Sequence, residues 1–182
     1  MKIEKTSIEE VKILYPNVYN DERGYFFESF QAEKYKEILG EVSFFQDNIS
    51  FSEKGTVRGL HYQVGEFAQG KLCQVPHGKV LDVAVDIRFG YSSFGKYVAI
   101  ELSEENHAQL WIPPGFAHGF AVLSDTALFS YKCSSPYHKP SERSIRYNDP
   151  DLNISWNVNS PIVSLKDMQG KLFREIERDF IY

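Results

Sequence analysis

Residues 81–88 read Leu81-Asp-Val-Ala-Val-Asp-Ile-Arg88, and their alternating pattern indicates the fold class. Aliphatic side chains at every second position alternate with aspartate, alanine and arginine, which is the period of a half-buried β-strand. Residues 98–102 repeat the alternation, with Val98, Ile100 and Leu102 on one side. The sequence therefore predicts two strands here, each with one face in a core.

Outward from this region, most of the chain has the composition of short strands, with turn residues between them at His77-Gly78 and Pro113-Pro114-Gly115. The further predicted strands are Val11–Tyr15, Gly24–Phe30, Val42–Phe51, Thr56–Gln63, Lys71–Val75, Gln109–Ile112, Phe116–Leu123 and Ala127–Cys133. Helices are predicted only over Ala32–Leu39 and, more loosely, Leu172–Arg178. Strands and helices do not alternate as in a parallel α/β sheet, and the sequence has no Walker loop or GxGxxG motif. The prediction is an all-β sandwich or jelly-roll barrel with a few short peripheral helices.

The bulk composition is that of one ordinary globular domain. A length of 182 residues with 42% hydrophobic and 25% charged residues allows a sizeable single core, so residues 1–182 are predicted to form one domain. Aromatic residues make up 15%, which favours strands. The net charge is −5 and the sequence has no run of Lys and Arg, so we expect no nucleic-acid partner.

The location of the protein is inferred from its termini and cysteines. The N-terminal sequence MKIEKTSIEE is charged and has no apolar signal core. The low-charge stretch Leu110–Leu123 is too short to span a bilayer and contains two prolines, so no membrane association is expected. Cys73 and Cys133 lie in strand-like segments and are predicted to be buried, reduced thiols. These features together predict a cytoplasmic protein.

The segment Gly55-Thr-Val-Arg-Gly-Leu-His-Tyr-Gln63 carries the first candidate chemistry. On a regular strand, Arg58, Leu60 and Tyr62 would share one face, while Gly59, His61 and Gln63 would share the other. A lone histidine at such a position is usually a core residue hydrogen-bonded to backbone. Lys71, however, begins the next predicted strand, and two groups of acid–base type on neighbouring strands indicate a site.

The second candidate segment is Trp111-Ile-Pro-Pro-Gly-Phe-Ala-His-Gly-Phe120. Its spacing Pro-x-Gly-x-x-His resembles the second half-motif of cupins, a jelly-roll superfamily. A cupin metal site normally also needs a His-x-His pair, but the corresponding positions here are His61 and Gln63, and glutamine is a poor ligand for transition metals. We therefore expect no metal and no cofactor, and proton chemistry by imidazole instead. Such an imidazole needs an orienting carboxylate, which spacing alone does not select from the 25 acidic residues.

Several motifs together resemble the dTDP-4-dehydrorhamnose 3,5-epimerases, which are metal-free cupins. The matching strings run from about Val11 to Asp167 and are GTVRGLHYQ, QGKL, DVAVDIR, WIPPGFAHGF, Tyr131-Lys132 and SLKD at 164–167. The resemblance implies epimerisation at C3 and C5 of dTDP-4-keto-6-deoxyglucose. It also implies a homodimer in which an N-terminal strand crosses to the partner, so that Arg23 and Glu28 complete the neighbour's site.

The resemblance also implies a role for each matching residue. His61 would be the general base, Asp167 the carboxylate that orients it, Lys71 the cation that stabilises the enolate, and Tyr131 the acid on the opposite face. The substrate-contacting positions would be Arg23, Glu28, Gln46, Asp47, Asn48, Arg58, His118, Glu142 and Lys166. Relatives usually have a proline in the link corresponding to Val64–Gln69, where this chain has Gly65, so a looser loop is expected near the site.

Alternatives remain open at the level of sequence. A single-site 3- or 5-epimerase, or an enzyme for another nucleotide-linked keto sugar, would share these motifs. A sugar-binding cupin without catalysis and a metal-dependent cupin enzyme are readings of a different class. Among individual residues, Arg23 and Glu142 could be surface charges, Tyr131 could be a core tyrosine, and Asp167 could cap the segment that follows it.

Overall fold

The computed structural model describes residues 1–181, so Tyr182, the last residue of the predicted domain, lies outside the described part. Within it the chain forms fourteen strands and two α-helices. The strands are β1 Lys2–Lys5, β2 Lys12–Tyr15, β3 Val18–Asp21, β4 Gly24–Phe27, β5 Gln46–Glu53, β6 Thr56–Gln63, β7 Lys71–His77, β8 Lys79–Asp86, β9 Tyr97–Ser103, β10 Gln109–Ile112, β11 Phe116–Val122, β12 Thr126–Cys133, β13 Glu142–Ser144 and β14 Ile162–Val163. The helices are α1 Ala32–Leu39 and α2 Leu165–Met168.

Two sheets form the body of the fold. The first has the strand order β1-β2-β10-β7-β12-β5, and the second has the order β13-β6-β11-β8-β9, with the short β14 added parallel to β6. All other pairings between these strands are antiparallel, and β3 and β4 form a separate two-stranded hairpin. The prediction of an all-β, cupin-type jelly-roll barrel with a few short helices is confirmed.

The main core lies between the two sheets. It is built from apolar side chains that alternate along the strands of both sheets, among them Leu110 and Phe129 from the first sheet and Val80 and Phe120 from the second. Phe120 and Phe129 stack with their ring centroids 4.1 Å apart. Because Phe129 is fully buried, its truncation to alanine would cost about 3–5 kcal/mol.

The prediction that residues 81–88 form a half-buried strand is only partly right. The strand is present as β8, but all of its residues from Val80 onward are buried. Leu81, Val83 and Val85 pack against the C-terminal segment, where Trp156 and Phe180 cover the outer face of the second sheet. The opposite face, with Asp82 and Ala84, therefore points into the barrel rather than to solvent.

Helix α1 coincides with the predicted range Ala32–Leu39. The side chain of Gln31 caps its start by accepting a hydrogen bond from the Lys34 amide, and Gly40 ends it at a φ of 83°. Tyr35 anchors the helix on the outer face of the first sheet, against Leu14 and Trp111. The second predicted helix, Leu172–Arg178, is wrong: only Phe173–Glu175 form a 3₁₀ turn. Its flanks are extended because they pair with other segments, as in the bridges Ile145–Lys171 and Phe89–Ile181.

The boundaries of several strands also differ from prediction. β5 begins four residues after the predicted Val42, and β4 ends at Phe27 instead of Phe30. Strands β1, β3, β13 and β14 were not predicted, because segments of two to four residues carry little periodic signal. No helix within residues 1–181 is long and apolar enough to cross a membrane.

Candidate active site

A bulge in β6 shapes the floor of the candidate site. β6 pairs with β11 so that His61 lies opposite His118, but the register shifts before Arg58, which lies opposite Phe120. At the bulge the backbones approach so closely that a Cβ on Gly59 would lie 2.5 Å from the Cα of Gly119, and Gly59 has a φ of 130°. Only glycine fits this position.

Because of the bulge, the residues of β6 do not share faces as predicted. Leu60 and Tyr62 do pack together in the core on the outer side of the sheet. Arg58, predicted to share their face, instead lines the same cavity as His61, because the irregular residues at 59 and 60 reset the alternation. The bulge thus adds a guanidinium to the histidine side of the strand.

His61 and Asp167 form a tight pair. The Nε2 atom of His61 lies 2.6 Å from Oδ1 of Asp167. Asp167 lies on α2, next to β14, and the hydroxyl of Ser164 accepts a hydrogen bond from the Asp167 amide at the start of that helix. The carboxyl of Asp167 is buried, whereas about a third (32%) of the His61 side chain is exposed to the cavity.

The pair has the charge distribution of a base with an orienting carboxylate. Burial alone would raise the pKa of Asp167, but the hydrogen bond and charge of His61, together with the Gly59 amide, bring it below its ordinary value. Asp167 is therefore ionised at neutral pH and acts as an acceptor only. It fixes the Nε2–H tautomer of neutral His61, which leaves Nδ1 as the basic nitrogen.

Lys71 lies across the site on β7 and is almost completely buried. Its Nζ atom donates to the carbonyl oxygen of His61 at 3.4 Å and lies 3.5 Å from Nδ1 of His118. The Tyr131 ring centroid is 5.8 Å from the same ammonium. Burial raises the pKa of Tyr131 to about 12, so its hydroxyl keeps its proton at neutral pH.

Two adjoining cavities meet at these residues. They have volumes of about 310 and 380 Å³, and both are lined by Asn48, His61, Lys71 and Tyr131. The first cavity is rich in amides and also contains Glu142, while the second is lined by Arg58, His118, Lys166 and Asp167. All four predicted catalytic residues therefore come together at one place.

Most of the predicted substrate-contacting residues also line these cavities. They are Gln46, Asn48, Arg58, His118, Glu142 and Lys166. Glu142 and Lys166 form an ion pair, with Oε1 and Nζ 2.6 Å apart, and the Tyr137 hydroxyl donates to the other carboxylate oxygen at 3.1 Å. Glu142 thus lines the first cavity and is paired, rather than being a free surface charge.

Three predicted residues are not brought to the cavities within one chain. Asp47 faces the other side of β5 from Gln46 and Asn48, since side chains alternate along a strand, and pairs with Lys132. Arg23 is exposed on the β3–β4 hairpin and pairs with Asp21, and Glu28, just after β4, pairs with Lys34. The assignment of Arg23 and Glu28 to a partner's site remains a prediction.

The link over Val64–Gln69, for which a looser loop was expected, contains a short helical turn. Residues Gly65–Phe67 form a 3₁₀ turn, in which Gly65 adopts a φ of 66°. Phe67 stacks on His138 with the ring centroids 3.8 Å apart, and Gln69 lines the first cavity. The link therefore belongs to the cavity wall.

Two sets of residues could be considered for a metal. In the cupin positions, the Gln63 amide is committed to backbone groups: it donates to Phe67 and Pro136 carbonyls and accepts from the His138 amide. The second set comprises the buried Cys73, Asp82 and His118, whose donor atoms lie within 4.8 Å of one another. Burial raises the pKa of the Cys73 thiol well above its ordinary value in the absence of a metal. With Lys71 next to His118 as well, neither set fits a cation.

Sequence reasoning did not single out Asp82, which contacts the cavity residue His118. Its Oδ1 atom lies 2.6 Å from Nε2 of His118, and the residue has no exposed surface. A usable signal was present, because Asp82 shares a strand face with Ala84 and a charged residue among small apolar ones is unusual in a core. The two cysteines are buried free thiols, as predicted.

The comparisons with known proteins agree with one another. Residues 5–175 match the family model described as dTDP-4-dehydrorhamnose 3,5-epimerase. The enzyme of that name from Shigella flexneri is 52% identical over 174 residues, which cover 95% of this chain and 96% of the relative.

Solved structures extend this likeness to the fold. The crystal structure of dTDP-6-deoxy-D-glucose-3,5-epimerase from Legionella pneumophila, in complex with dTDP-4-keto-L-rhamnose, is 51% identical, with a TM-score of 0.96 over 100% of this chain and 98% of that one. A 3′-monoepimerase from Streptomyces bikiniensis in complex with dTDP-quinovose is 31% identical, with a TM-score of 0.88 over 93% and 87% of the two chains. The chain therefore belongs to the dTDP-4-dehydrorhamnose 3,5-epimerase family of isomerases.

Proposed function

We propose that this protein epimerises dTDP-4-keto-6-deoxyglucose at C3 and C5 and so produces dTDP-4-dehydro-L-rhamnose. At each carbon, the C–H bond beside the C4 ketone breaks, its electron pair forms a double bond to C4, and the ketone oxygen becomes an enolate. Protonation of the same carbon from the other face then restores the ketone with inverted configuration. The reaction needs a base, an acid on the opposite side, and a cation near the oxygen.

The observation that carries this proposal is the meeting of His61, paired with Asp167, with Lys71 and Tyr131 at one pair of cavities. Nδ1 of His61 takes the proton, and Asp167 stabilises the imidazolium that results. Tyr131 returns a proton, and the phenolate regains one from solvent. The His61 imidazolium releases its proton to solvent, so that both side chains return to their starting protonation states.

Lys71 supplies the charge that the enolate needs. A proton beside a ketone is only weakly acidic, so the negative charge developing on the C4 oxygen must be stabilised. One pre-positioned donor at such an oxygen is worth about 3–4 kcal/mol of the barrier. The buried ammonium of Lys71 is in a low-dielectric setting, in which this interaction is stronger than in water.

The diphosphate is assigned to the second cavity. Arg58 and Lys166 are two cations that line it, and a guanidinium can bind phosphate oxygens through two parallel hydrogen bonds. Arg58 already donates to the Ser52 hydroxyl at 3.1 Å, which holds it in place.

The decisive experiment is incubation with dTDP-4-keto-6-deoxyglucose in deuterated water, followed by NMR. Deuterium at both C3 and C5 is expected, and Tyr131 favours this outcome because it provides an acid for inversion. Deuterium at one carbon would select the alternative, a single-site epimerase. An absence of exchange with intact binding would leave a sugar-binding protein.

A homodimer is proposed as the working form. Its support is the β3–β4 hairpin, which exposes Tyr19, Tyr25 and Phe26, at 65%, 54% and 70% of their surfaces, next to Arg23. Such an apolar surface is typical of an interface. Size-exclusion chromatography with light scattering should give twice the 21.0 kDa chain mass at micromolar concentration, and a monomer would contradict the proposal.

A single cooperative domain and a cytoplasmic location complete the proposal. The shared core between the two sheets supports one unfolding transition, measurable by calorimetry. The two free thiols are compatible with a reducing compartment. Cell fractionation tests the location directly.

A further inference from the structure

We propose that Asp82 and His118 form a second carboxylate–imidazole pair, whose task is to position Lys71 and keep its ammonium charged below the substrate's C4 oxygen. The inference rests on the proposed role of Lys71. It assigns Asp82 and His118 as positioning residues that act through Lys71.

The geometry defines the direction of each hydrogen bond. Oδ1 of Asp82 lies 2.6 Å from Nε2 of His118, and a carboxylate oxygen is the acceptor of such a pair. Nε2 therefore carries the hydrogen. In the neutral ring Nδ1 is then an acceptor, and it is this atom that lies 3.5 Å from Nζ of Lys71. The chain of contacts runs from carboxylate to imidazole to ammonium.

The neutral form of His118 agrees with its surroundings. Burial lowers the pKa of His118 below its ordinary value, and the charge of Asp82 only partly offsets this effect. A second positive charge on the ring would also face the ammonium of Lys71. His118 thus acts as a bridge without a net charge of its own, between one buried cation and one buried anion.

The charges around Lys71 single out Asp82. The neighbouring groups are the thiols of Cys73 and Cys133, the phenol of Tyr131, the two imidazoles, and the carboxylates of Asp82 and Glu142. Glu142 is already neutralised by Lys166 at 2.6 Å. Asp82 is the remaining carboxylate acting on the ammonium, and it has no exposed surface, so its effect is little screened by solvent.

Lys71 needs a nearby negative charge to remain an ammonium. Burial lowers the pKa of Lys71, which pushes the side chain toward the neutral amine. An amine without charge would stabilise an enolate much less than an ammonium does. Asp82 counteracts the effect of burial, and the imidazole fixes where the ammonium points.

The test compares Asp82→Asn with Asp86→Asn. Both aspartates lie on β8 and are completely buried, but Asp86 pairs with Arg88 outside the two cavities. Asp82→Asn keeps the size of the side chain and removes its charge. We expect kcat to fall about tenfold or more, with KM changed little, as when the orienting partner of a functional histidine is lost. The alkaline limb of the kcat profile should move to lower pH by about one unit or more. Asp86→Asn should lower thermal stability without moving this limb.

The outcomes separate the inference from the function on which it rests. If Asp82→Asn keeps the wild-type kcat and alkaline limb, or if it loses activity only as Asp86→Asn does, the positioning role is wrong. If Lys71→Met keeps full activity, the proposed role of Lys71 is wrong, and the inference that rests on it is wrong as well. Should Asp82→Asn not fold, His118→Phe keeps a ring but removes both the donor to Asp82 and the acceptor for Lys71, and an unchanged kcat in that variant overturns the inference.

Discussion

His61 and Asp167 are separated by 106 residues in the chain, yet their side chains meet at 2.6 Å. The first lies near the end of an eight-residue strand of the barrel, and the second on a four-residue helix close to the C-terminus. The pair sets the tautomer of the imidazole and leaves one nitrogen facing the cavity, which is the property that a general base requires.

Replacing His61 tests the base directly. His61→Ala should lower exchange of the C3 and C5 protons with solvent at least ~10²-fold, the usual contribution of a general base. The measurement is incorporation of deuterium by NMR. His77→Ala is the control, since His77 is exposed and pairs with Glu104 away from the cavities. Near wild-type exchange in His61→Ala would place the base elsewhere.

Tyr131→Phe separates proton removal from proton return. The ring keeps its packing, so the fold should survive, and His61 should still exchange the substrate protons. Net inversion should fall about 10²-fold, since an acid contributes a similar amount to a base. Inversion is followed by product NMR, with Tyr97→Phe, on the outer face of the second sheet, as a control. Inversion at the wild-type rate would show that another group returns the proton.

The carboxyl of Asp167 should make stability depend on acid. Its pKa in the folded protein lies below the ordinary value, so its contribution is present above the unfolded-state pKa of about 3.9 and is lost as the pH falls through the folded-state pKa. Asp167→Asn should therefore be less stable by about 1–3 kcal/mol near neutral pH. The deficit should shrink below about pH 4.

Urea unfolding at a series of pH values measures this difference. Asp125→Asn serves as the control, because Asp125 is 95% exposed and its pair with Lys54 contributes little. A deficit of Asp167→Asn that stays constant with pH would contradict the assignment of the charge.

Activity should survive chelation. The Gln63 amide is committed to backbone partners, and Lys71 lies beside His118, so a cation has no suitable set of ligands here. Prolonged dialysis against EDTA should leave kcat unchanged, and metal analysis should find less than stoichiometric metal. A loss of activity that added metal restores would make the metal-dependent alternative correct.

Gly59→Ala should disturb the floor of the site. The added methyl would lie 2.5 Å from the Gly119 backbone, and overpacking of this kind costs about 1–3 kcal/mol. Because His61 follows two residues later, kcat should fall as well. Gly40→Ala is the matched control: Gly40 also has a positive φ, of 83°, but a Cβ there has no atom within 4 Å. An equal loss in both variants would mean that backbone strain, not the close approach, is responsible.

The sequence was most informative where periodicity is long and regular. Ala32–Leu39 has the predicted bounds because a capped helical turn is a local property, and Thr56–Gln63 also has them, although its bulge breaks the period of two. Asp82 was placed on the wrong side, since whether the second face of a strand meets solvent or a core depends on what packs there. Arg58 was misplaced because a bulge reflects the approach of another strand at Gly119.

The site itself needed more than local pattern. The sequences of their strands alone indicated His61 and Lys71 as candidate site residues, but Asp167 could be assigned only through the family resemblance. A contact between residues that are 106 positions apart cannot be inferred from the spacing of residues in the sequence. The Glu142–Lys166 pair has the same character, since β13 and α2 approach only after both lie against β6.

Asp167, the carboxylate partner of His61, is synthesised late in the chain, and this affects when the pair can form. Strands β6 to β12, with the base, the lysine and the tyrosine, leave the ribosome before residues 162–168, which bring Asp167 to β6. A nascent chain arrested short of those residues carries the imidazole without its partner. On the proposed mechanism, the base gains its orienting carboxylate only once synthesis has passed α2 and that helix has docked, so full enzymatic turnover requires this late segment of the chain.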